Sequence, residues 1–492
     1  MIRKYTLRRS VALATFVAAM SLTGCQKEEM LENQFSEPQA SFSSQNGEAI
    51  EGQYIVVFKK NGSSLSGSDS QSLKASKVEA AVIRERVLNT SNVDAREVSQ
   101  VYEGIVNGFA AKLNPEQIKA LKNNPDVAYI EQDRIIALAP KWKDTYTSSK
   151  GNSKNSSEDD SAKTNAVKGN GKVKTKPTPT EPTPTEPTPT EPTPTEPTPT
   201  EPTEPAPTEP TPTEPTPAEP VPTQPTEPAP AYATITPLAG ETVPWNIELV
   251  GYGDGTGKTV WVIDSGVDTD HADLNIDFNR SVSFIYGNAS VEDGYGHGTS
   301  VAGVIAAKNN GSGMIGVAAN ATIVALRVFD DAGAGTVSRA ISAVNHVSLN
   351  GKPGDVVNMS LGSGISSTLD NAVQTAAAKG ILFAIAAGNS SVDCSGTSPA
   401  RVNAPGVYTI SAMDNYNRMW SSSNFGAGVD FAAPGVSVTA TTKNGSFSGG
   451  HYGTSLASPH VAGILALRGE VLSQGYITGD KDSTPDPIAS LK

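Results

Sequence analysis

Apolar residues fall into three patterns along the chain, and each predicts a different local structure. Between residues 51 and 139 short apolar runs alternate with amphipathic stretches. Tyr54-Ile55-Val56-Val57-Phe58 reads as a strand, and Leu73 to Leu88 as a helix carrying Val78, Val82, Val87 and Leu88; Gly108 to Leu113 reads as another strand. Asn114-Pro115-Glu116-Gln117 supplies a capping side chain, a Pro at the first helical position and a Gln at the third, which together start a helix. Val127-Ala128-Tyr129-Ile130 closes the segment as a strand. The order is β-α-β-β-α-β-like, a small α+β domain that by itself names no function.

From 140 to 231 the apolar signal disappears. The stretch is first rich in Ser, Lys and Asn, then repeats Thr-Pro-Thr-Glu-Pro; 22 of the 35 prolines and ten Glu lie between Pro177 and Pro230, with no Lys or Arg. Such a composition buries no core and favours extended polyproline II, a disordered linker or stalk with a reach on the order of 170 Å. The alternative, a docking site for Pro-reading domains, is disfavoured for an exported chain. Those ten Glu account for most of the net charge of −13. The remainder is nearly balanced, so neither a nucleic-acid surface nor an acidic solvating protein is indicated.

From 232 to 492 apolar strands alternate with helices. Lys258 to Asp264, Thr322 to Phe329, Asp355 to Ser360 and Ile381 to Ala387 are strand-like; His297 to Lys308, Thr336 to Leu349 and Thr368 to Lys379 are helical, the last stopped by Gly380 at C′. This alternation implies a mostly parallel sheet with helices on both faces, whose active groups gather beyond the carboxyl ends of the strands. Asp264 stands at such an end, His297 opens a helix in Gly-His-Gly-Thr, and Ser455 opens another in Gly-Thr-Ser-Leu-Ala. At a helix N-terminus, backbone N–H groups and the helix dipole face an incoming oxyanion. Asn389, reached through Gly388, offers a side-chain amide to the same oxyanion.

The motifs Ile263-Asp264-Ser265-Gly266, Gly296-His297-Gly298-Thr299, Ala387-Gly388-Asn389 and Gly453-Thr454-Ser455, in that order, resemble the subtilisin-like serine proteases (peptidase family S8), and within them the proteinase K and aqualysin branch. The resemblance implies an α/β, subtilisin-like three-layer fold preceded by a ferredoxin-like inhibitory propeptide of the I9 type. It implies Ser455 as nucleophile, His297 as general base and acid, Asp264 as the group orienting the imidazole, and Asn389 with the Ser455 N–H as oxyanion hole. Substrate backbone is expected along Ser360-Leu361-Gly362, with a primary pocket lined there and by Ala386-Ala387-Gly388. Neither segment carries a charge, so cleavage is expected after apolar or aromatic residues. Asp430 with the carbonyls of Pro405 and Val407 resembles a calcium site of that branch, with oxygen ligands that suit structural Ca²⁺.

Departures from the pattern are Ser300 for a usual His, Leu456 for a usual Met, and Gly428 where the disulfide partner of Cys394 is expected. The chain ends 37 residues after Ser455, shorter than most relatives, so a terminal strand or helix is expected to be missing. Taken singly, a strand-end Asp or a buried His is more often structural than catalytic; four motifs together reverse that. Ser398, in Gly-Thr-Ser-Pro, is a decoy for the nucleophile motif, and His271, His346, His451 and His460 read as structural or surface residues.

At the N-terminus Arg3, Lys4, Arg8 and Arg9 precede the apolar stretch Val11 to Met20 and Leu22-Thr23-Gly24-Cys25, which resembles a lipoprotein signal peptide (1–24) with lipidation at Cys25. The alternative is an ordinary signal peptide with a chance Cys. Cys394 is the only other cysteine, so no internal disulfide is expected. The expected organisation is a tether (25–50), propeptide domain (51–139), linker (140–231) and catalytic domain (232–492). The expected protein is a secreted, autoprocessed serine endopeptidase and monomer. It would act on protein and peptide substrates, be held by its own propeptide, and touch the membrane through the Cys25 lipid. The precursor is expected at the outer membrane or cell surface, with the cut near Ala137-Leu138-Ala139 releasing the protease. The rival is a catalytically silent surface protein that uses the fold for binding.

Overall fold

The computed structural model describes residues 45–59, 70–138 and 232–492, with no side-chain description for 70–76. The signal peptide, Cys25, most of the tether and the Pro-rich linker lie outside the described residues. No helix among the described residues is long and apolar enough to cross a membrane.

The first domain contains β1 (Ala49–Phe58), α1 (Ser70–Thr90), β2 (Val98–Glu103), β3 (Asn107–Lys112), α2 (Pro115–Lys122) and β4 (Val127–Ala137). Its four strands form an antiparallel sheet in the order β4-β1-β3-β2. The predicted capping box is present: Gln117 N–H donates to Asn114 Oδ1 and Asn114 N–H to Gln117 Oε1, each at 2.9 Å. Val56 and Phe58 pack under the two helices with Val87, Phe109 and Leu121. Ile55 and Val57, on the opposite face, pack in a second core together with residues of the catalytic domain. The sheet is thus buried on both faces, which is why Ile55 to Phe58 are all apolar instead of alternating. The structure extends the domain upstream of its expected start, because β1 begins at Ala49 and residues 46–48 are already hydrogen-bonded to β4.

The catalytic domain follows as α3 (Trp245–Val250), β5 (Gly253–Asp254), β6 (Thr259–Asp264), β7 (Asn275–Ile276), β8 (Val282–Ser283), α4 (His297–Ala306), β9 (Ala318–Ala319), β10 (Thr322–Arg327), β11 (Ala334–Thr336) and α5 (Val337–Asn350). It continues with β12 (Val356–Met359), α6 (Ser367–Ala377), β13 (Leu382–Ala386), β14 (Val407–Met413), β15 (Phe431–Pro434), β16 (Val438–Thr442), β17 (Ser446–His451), α7 (Thr454–Arg468), β18 (Leu472–Tyr476) and β19 (Pro487–Ser490). The large sheet runs β18-β19-β15-β14-β13-β12-β6-β10-β7. From β10 through β15 its neighbours are parallel, and the central strands are buried on both faces, as a doubly covered parallel sheet requires. After α7, β19 joins β15 in parallel and β18 pairs antiparallel with it, so the segment following Ser455 supplies a helix and two strands. α6 ends at Ala377, two residues earlier than expected: Ala378 is its C-cap, and Gly380, at φ +86°, carries the turn two residues on.

The two domains meet along β4. β11 pairs antiparallel with its end, Ala334 opposite Ala137, Gly335 opposite Ile136 and Thr336 opposite Ile135, and Leu138 N–H donates to Gly333 O at 3.0 Å. Two acids of β4 meet helix N-termini of the catalytic domain. Asp133 Oδ1 accepts from Ser338 N–H (3.0 Å) in α5, and Glu131 Oε2 accepts from Thr368 N–H (3.0 Å) and Oγ1 (2.7 Å) in α6. Both carboxylates thereby satisfy otherwise orphaned helix donors and complement the helix dipoles.

Candidate active site

Three strand-to-helix junctions build the site. β6 delivers Asp264, fully buried, whose Oδ1 accepts from Ser265 N–H at 2.7 Å. His297 heads α4, and its Nδ1 lies 2.8 Å from Asp264 Oδ1 and 3.0 Å from Oδ2. Gly298 permits this approach: a Cβ there would sit 2.1 Å from Gly266 O and 3.2 Å from Asp264 Cβ. Burial lowers the pKa of the imidazole, but the charge and hydrogen bond of Asp264, with Asp293 beyond, more than offset it, and the net pKa is raised. The carboxylate thus holds the ring and favours the proton on it.

Asp293 is a residue the sequence reading missed. Buried, it accepts through Oδ1 from Ser265 Oγ (2.8 Å), Gly296 N–H (2.6 Å) and Tyr295 N–H (3.2 Å), and through Oδ2 from Thr299 N–H (2.9 Å) and Oγ1 (2.7 Å). It caps the start of α4 and ties it to the turn after β6, fixing His297 against Asp264. Its place a few residues before a helix start, in Glu-Asp-Gly, was the available signal.

Ser455 heads α7, which packs along α4. Gly453 precedes it at φ +130°, and a Cβ there would lie 3.0 Å from Ser455 Oγ and 3.5 Å from Asn389 Nδ2, so hydroxyl and amide converge over this glycine. Asn389 Oδ1 accepts from Thr454 N–H (2.9 Å) and Oγ1 (2.8 Å), which turns its NH₂ outward. α7 contains Pro459, whose missing N–H leaves the Ser455 carbonyl without its helical partner. Ser360 Oγ fills the gap, donating to Ser455 O at 2.7 Å, and itself accepts from Asn358 Nδ2 at 2.8 Å. Sequence reasoning placed Ser360 in the expected substrate segment and missed this link to Ser455.

Ser360 and Leu361 are nearly buried at the end of β12, and Ala386, Ala387 and Gly388 continue β13 toward Asn389. Gly388, at φ +112°, is held by Asn424, whose Nδ2 donates to Ala387 O at 2.9 Å. β11 and Gly333 form a further strand edge beside them that the sequence reading did not single out, since three residues with a Gly give no periodic signal. Tyr295 closes that side, its ring within 2.7 Å of a Cβ built at Gly333.

The expected calcium ligands share one end of β14. Val407 opens that strand, Pro405 lies in the turn closed by Val407 N–H on Ala404 O (3.0 Å), and Asp430 Oδ2 accepts from Thr409 N–H (2.8 Å). Burial raises the Asp430 carboxyl, and no ion pair to it occurs among the described residues. A partly buried carboxyl with no cationic partner among the described residues is a hard oxygen donor of the kind such a cation takes.

The other expectations also find places. Ser398 lies in a loop, its hydroxyl accepting from Ser366 N–H at 2.9 Å. His460 is buried, its ring beside Asn246 Nδ2 at 2.9 Å, and burial pushes its pKa down to about 4. Ser300 Oγ donates to Thr441 O at 2.8 Å. Cys394 is a free, buried thiol, and a Cβ at Gly428 would lie 3.1 Å from its sulfur.

The subtilase family model matches residues 255–477, and the peptidase inhibitor I9 model residues 53–139. Alkaline serine exoprotease A of Vibrio alginolyticus is 32% identical over 449 residues, 90% of this chain and 64% of that protein. An alkaline protease of Alkalihalobacillus alcalophilus is 41% identical over 243 residues, 48% of this chain and 61% of that protein. Against these two relatives the chain spans less than two thirds of their length. Subtilisin Savinase of Lederbergia lenta is 41% identical over 235 residues, 46% of this chain and 84% of that protein. With those matches laid over a buried Asp264–His297 pair and a helix-heading Ser455, the chain belongs to the subtilase family and carries an I9 inhibitor domain ahead of its protease domain.

Proposed function

We propose that the chain is the zymogen of an exported serine endopeptidase that hydrolyses peptide bonds of proteins through an acyl-enzyme. The observation that carries this reading is the His297–Asp264 contact at the head of α4, beside a second helix headed by Ser455. Ser455 Oγ attacks the scissile carbonyl, and His297 takes its proton and returns it to the leaving amine. Asp264 keeps the imidazole in the tautomer with Nδ1–H and stabilises the imidazolium. The developing oxyanion meets Asn389 Nδ2 and the Ser455 N–H. Extended substrate lies between β11 and Ser360-Leu361-Gly362, and the uncharged pocket lined by Ala386-Ala387-Gly388 favours apolar or aromatic P1 residues. The antiparallel seating of Ile135, Ile136 and Ala137 on β11 supports a cut just beyond Leu138.

Pro405 and Val407 carbonyls with Asp430 would hold a structural Ca²⁺, tying the turn before β14 to β15. Cys25 would anchor the precursor through its lipid, and cleavage after the propeptide would free the protease. The test is hydrolysis of casein and labelling by a fluorophosphonate, for wild type beside Ser455→Ala, with intact mass of both. Hydrolysis, labelling and loss of the propeptide in wild type alone are expected. An unprocessed wild type that hydrolyses nothing and ignores the probe would move the reading to a silent binding protein.

A further inference from the structure

Residues 45–48 lie ahead of the stretch matched by the I9 model, yet they are seated at the active-site edge. Gly47 N–H donates to Ile135 O and Ile135 N–H to Glu48 O, both at 2.9 Å, and Glu48 N–H closes back on Gln45 O at 2.9 Å, so these residues form a turn leading into β1 that bonds the end of β4 on the side away from β11. Arg134 Nη1 donates to Gly47 O at 2.8 Å. Asn46 makes the outward contact: its Nδ2 donates to Gly362 O at 3.0 Å while its Oδ1 accepts from Ala137 N–H at 2.9 Å.

A side-chain amide carries the same donor and acceptor as a peptide group, so Asn46 acts as a peptide unit inserted between the scissile strand and the substrate segment. We propose that residues 45–48 are a second inhibitory arm, in which Asn46 takes the backbone slot on Gly362 that an extended substrate must fill and keeps the propeptide on the protease after the cut. The inference rests on the protease reading above. Gly47 makes the seating possible, since it sits at φ +85° and a Cβ there would lie 2.9 Å from Gly364 N. Because the arm is continuous with β1, it rebinds at high effective concentration whenever the inhibitor domain is docked, and it leaves only with that domain.

Two full-chain measurements test this. In a Ser455→Ala background, which stays uncut, amide exchange at Ala137 is compared with and without Asn46→Ala. In the competent chain, the lag before casein hydrolysis is compared for wild type, Asn46→Ala and Gly47→Ala. Loss of the two bridging hydrogen bonds is expected to speed Ala137 exchange by about tenfold or more and to shorten the lag by a similar factor. Gly47→Ala is expected to shorten it by displacing the arm from Gly364. Unchanged exchange at Ala137 in the Asn46 variant, or an unchanged lag in both variants, overturns the arm while leaving the protease reading intact. A competent chain that never hydrolyses casein or labels defeats the protease reading instead, and the exchange experiment then shows only whether the arm is seated.

Discussion

Single side chains decide whether the site works. Asn389 is held by Thr454 through its Oδ1 with its amide hydrogens free to meet an oxyanion, so Asn389→Ala is expected to lower kcat by about 10²- to 10³-fold with KM little changed. Steady-state kinetics on a peptide nitroanilide check this. Asp264, His297, Ser455 and Asn389 were all legible in the sequence because each sits in a short motif of small residues at an element end. Asp293 was not, because its role is distributed over five hydrogen bonds, one of them reaching back to Ser265, and its only sequence mark is an acid a few residues before a helix start. Cys394 offers a gain. Burial, then the neighbouring Asp393, pushes its thiol up to about 11, so it stays protonated and inert, but a Cβ at position 428 would lie 3.1 Å from its sulfur. That spacing is close to what an S–S bond of about 2.05 Å sets between one Cβ and the far sulfur. Gly428→Cys is therefore expected to lose both free thiols on oxidation and to gain about 2–4 kcal/mol, read as a melting shift that reductant abolishes.

At the scale of elements, α7 shows how a local defect is put to use. Pro459 frees the Ser455 carbonyl and Ser360 Oγ claims it, which couples the helix headed by Ser455 to Ser360-Leu361-Gly362 after β12. Ser360→Ala leaves that buried acceptor unpaired and is expected to cost about 1–3 kcal/mol of stability, with a fall in kcat; urea unfolding and kinetics on the same variant measure both. The long strands and helices were readable because a doubly covered parallel sheet writes continuous apolar runs and its helices write amphipathic ones. What escaped were the short edges, β11 and residues 45–48, which hold their places through backbone hydrogen bonds to β4 instead of through apolar side chains. Tyr54 to Phe58 was readable as a strand, but only the packing of Ile55 and Val57 into the protease core shows why both its faces are apolar.

At the scale of the whole molecule, inhibitor and protease share a titratable joint. Burial raises the Asp133 carboxyl to about 6 in the docked state, against the ordinary 3.8. Its Oδ2 is buried without a hydrogen-bond partner. Facing it are Ser338 and Arg339 of α5, with Tyr102 and Glu131 of the inhibitor domain nearby. The docked state therefore binds the proton more tightly than the released one. Its grip is full below about pH 4, weakens as pH rises through about 6, and is flat beyond, a fall of up to about 100-fold. Burial raises the Asp370 carboxyl to about 6 and Glu131 adds to it; that Glu131 part is relieved when the inhibitor domain leaves, which acts in the same direction. Gel filtration of the processed chain at pH 5 and pH 8 is expected to show the propeptide retained at the lower value and shed at the higher, with Asp133→Asn flattening the difference. Shedding uncovers β11, and an unpaired strand edge is a template on which other chains can aggregate. Here that edge is only Ala334-Gly335-Thr336 long, too short and too glycine-bearing to seed a fibril, so a domain freed of its inhibitor would keep an open edge without becoming a nucleus for its own precipitation.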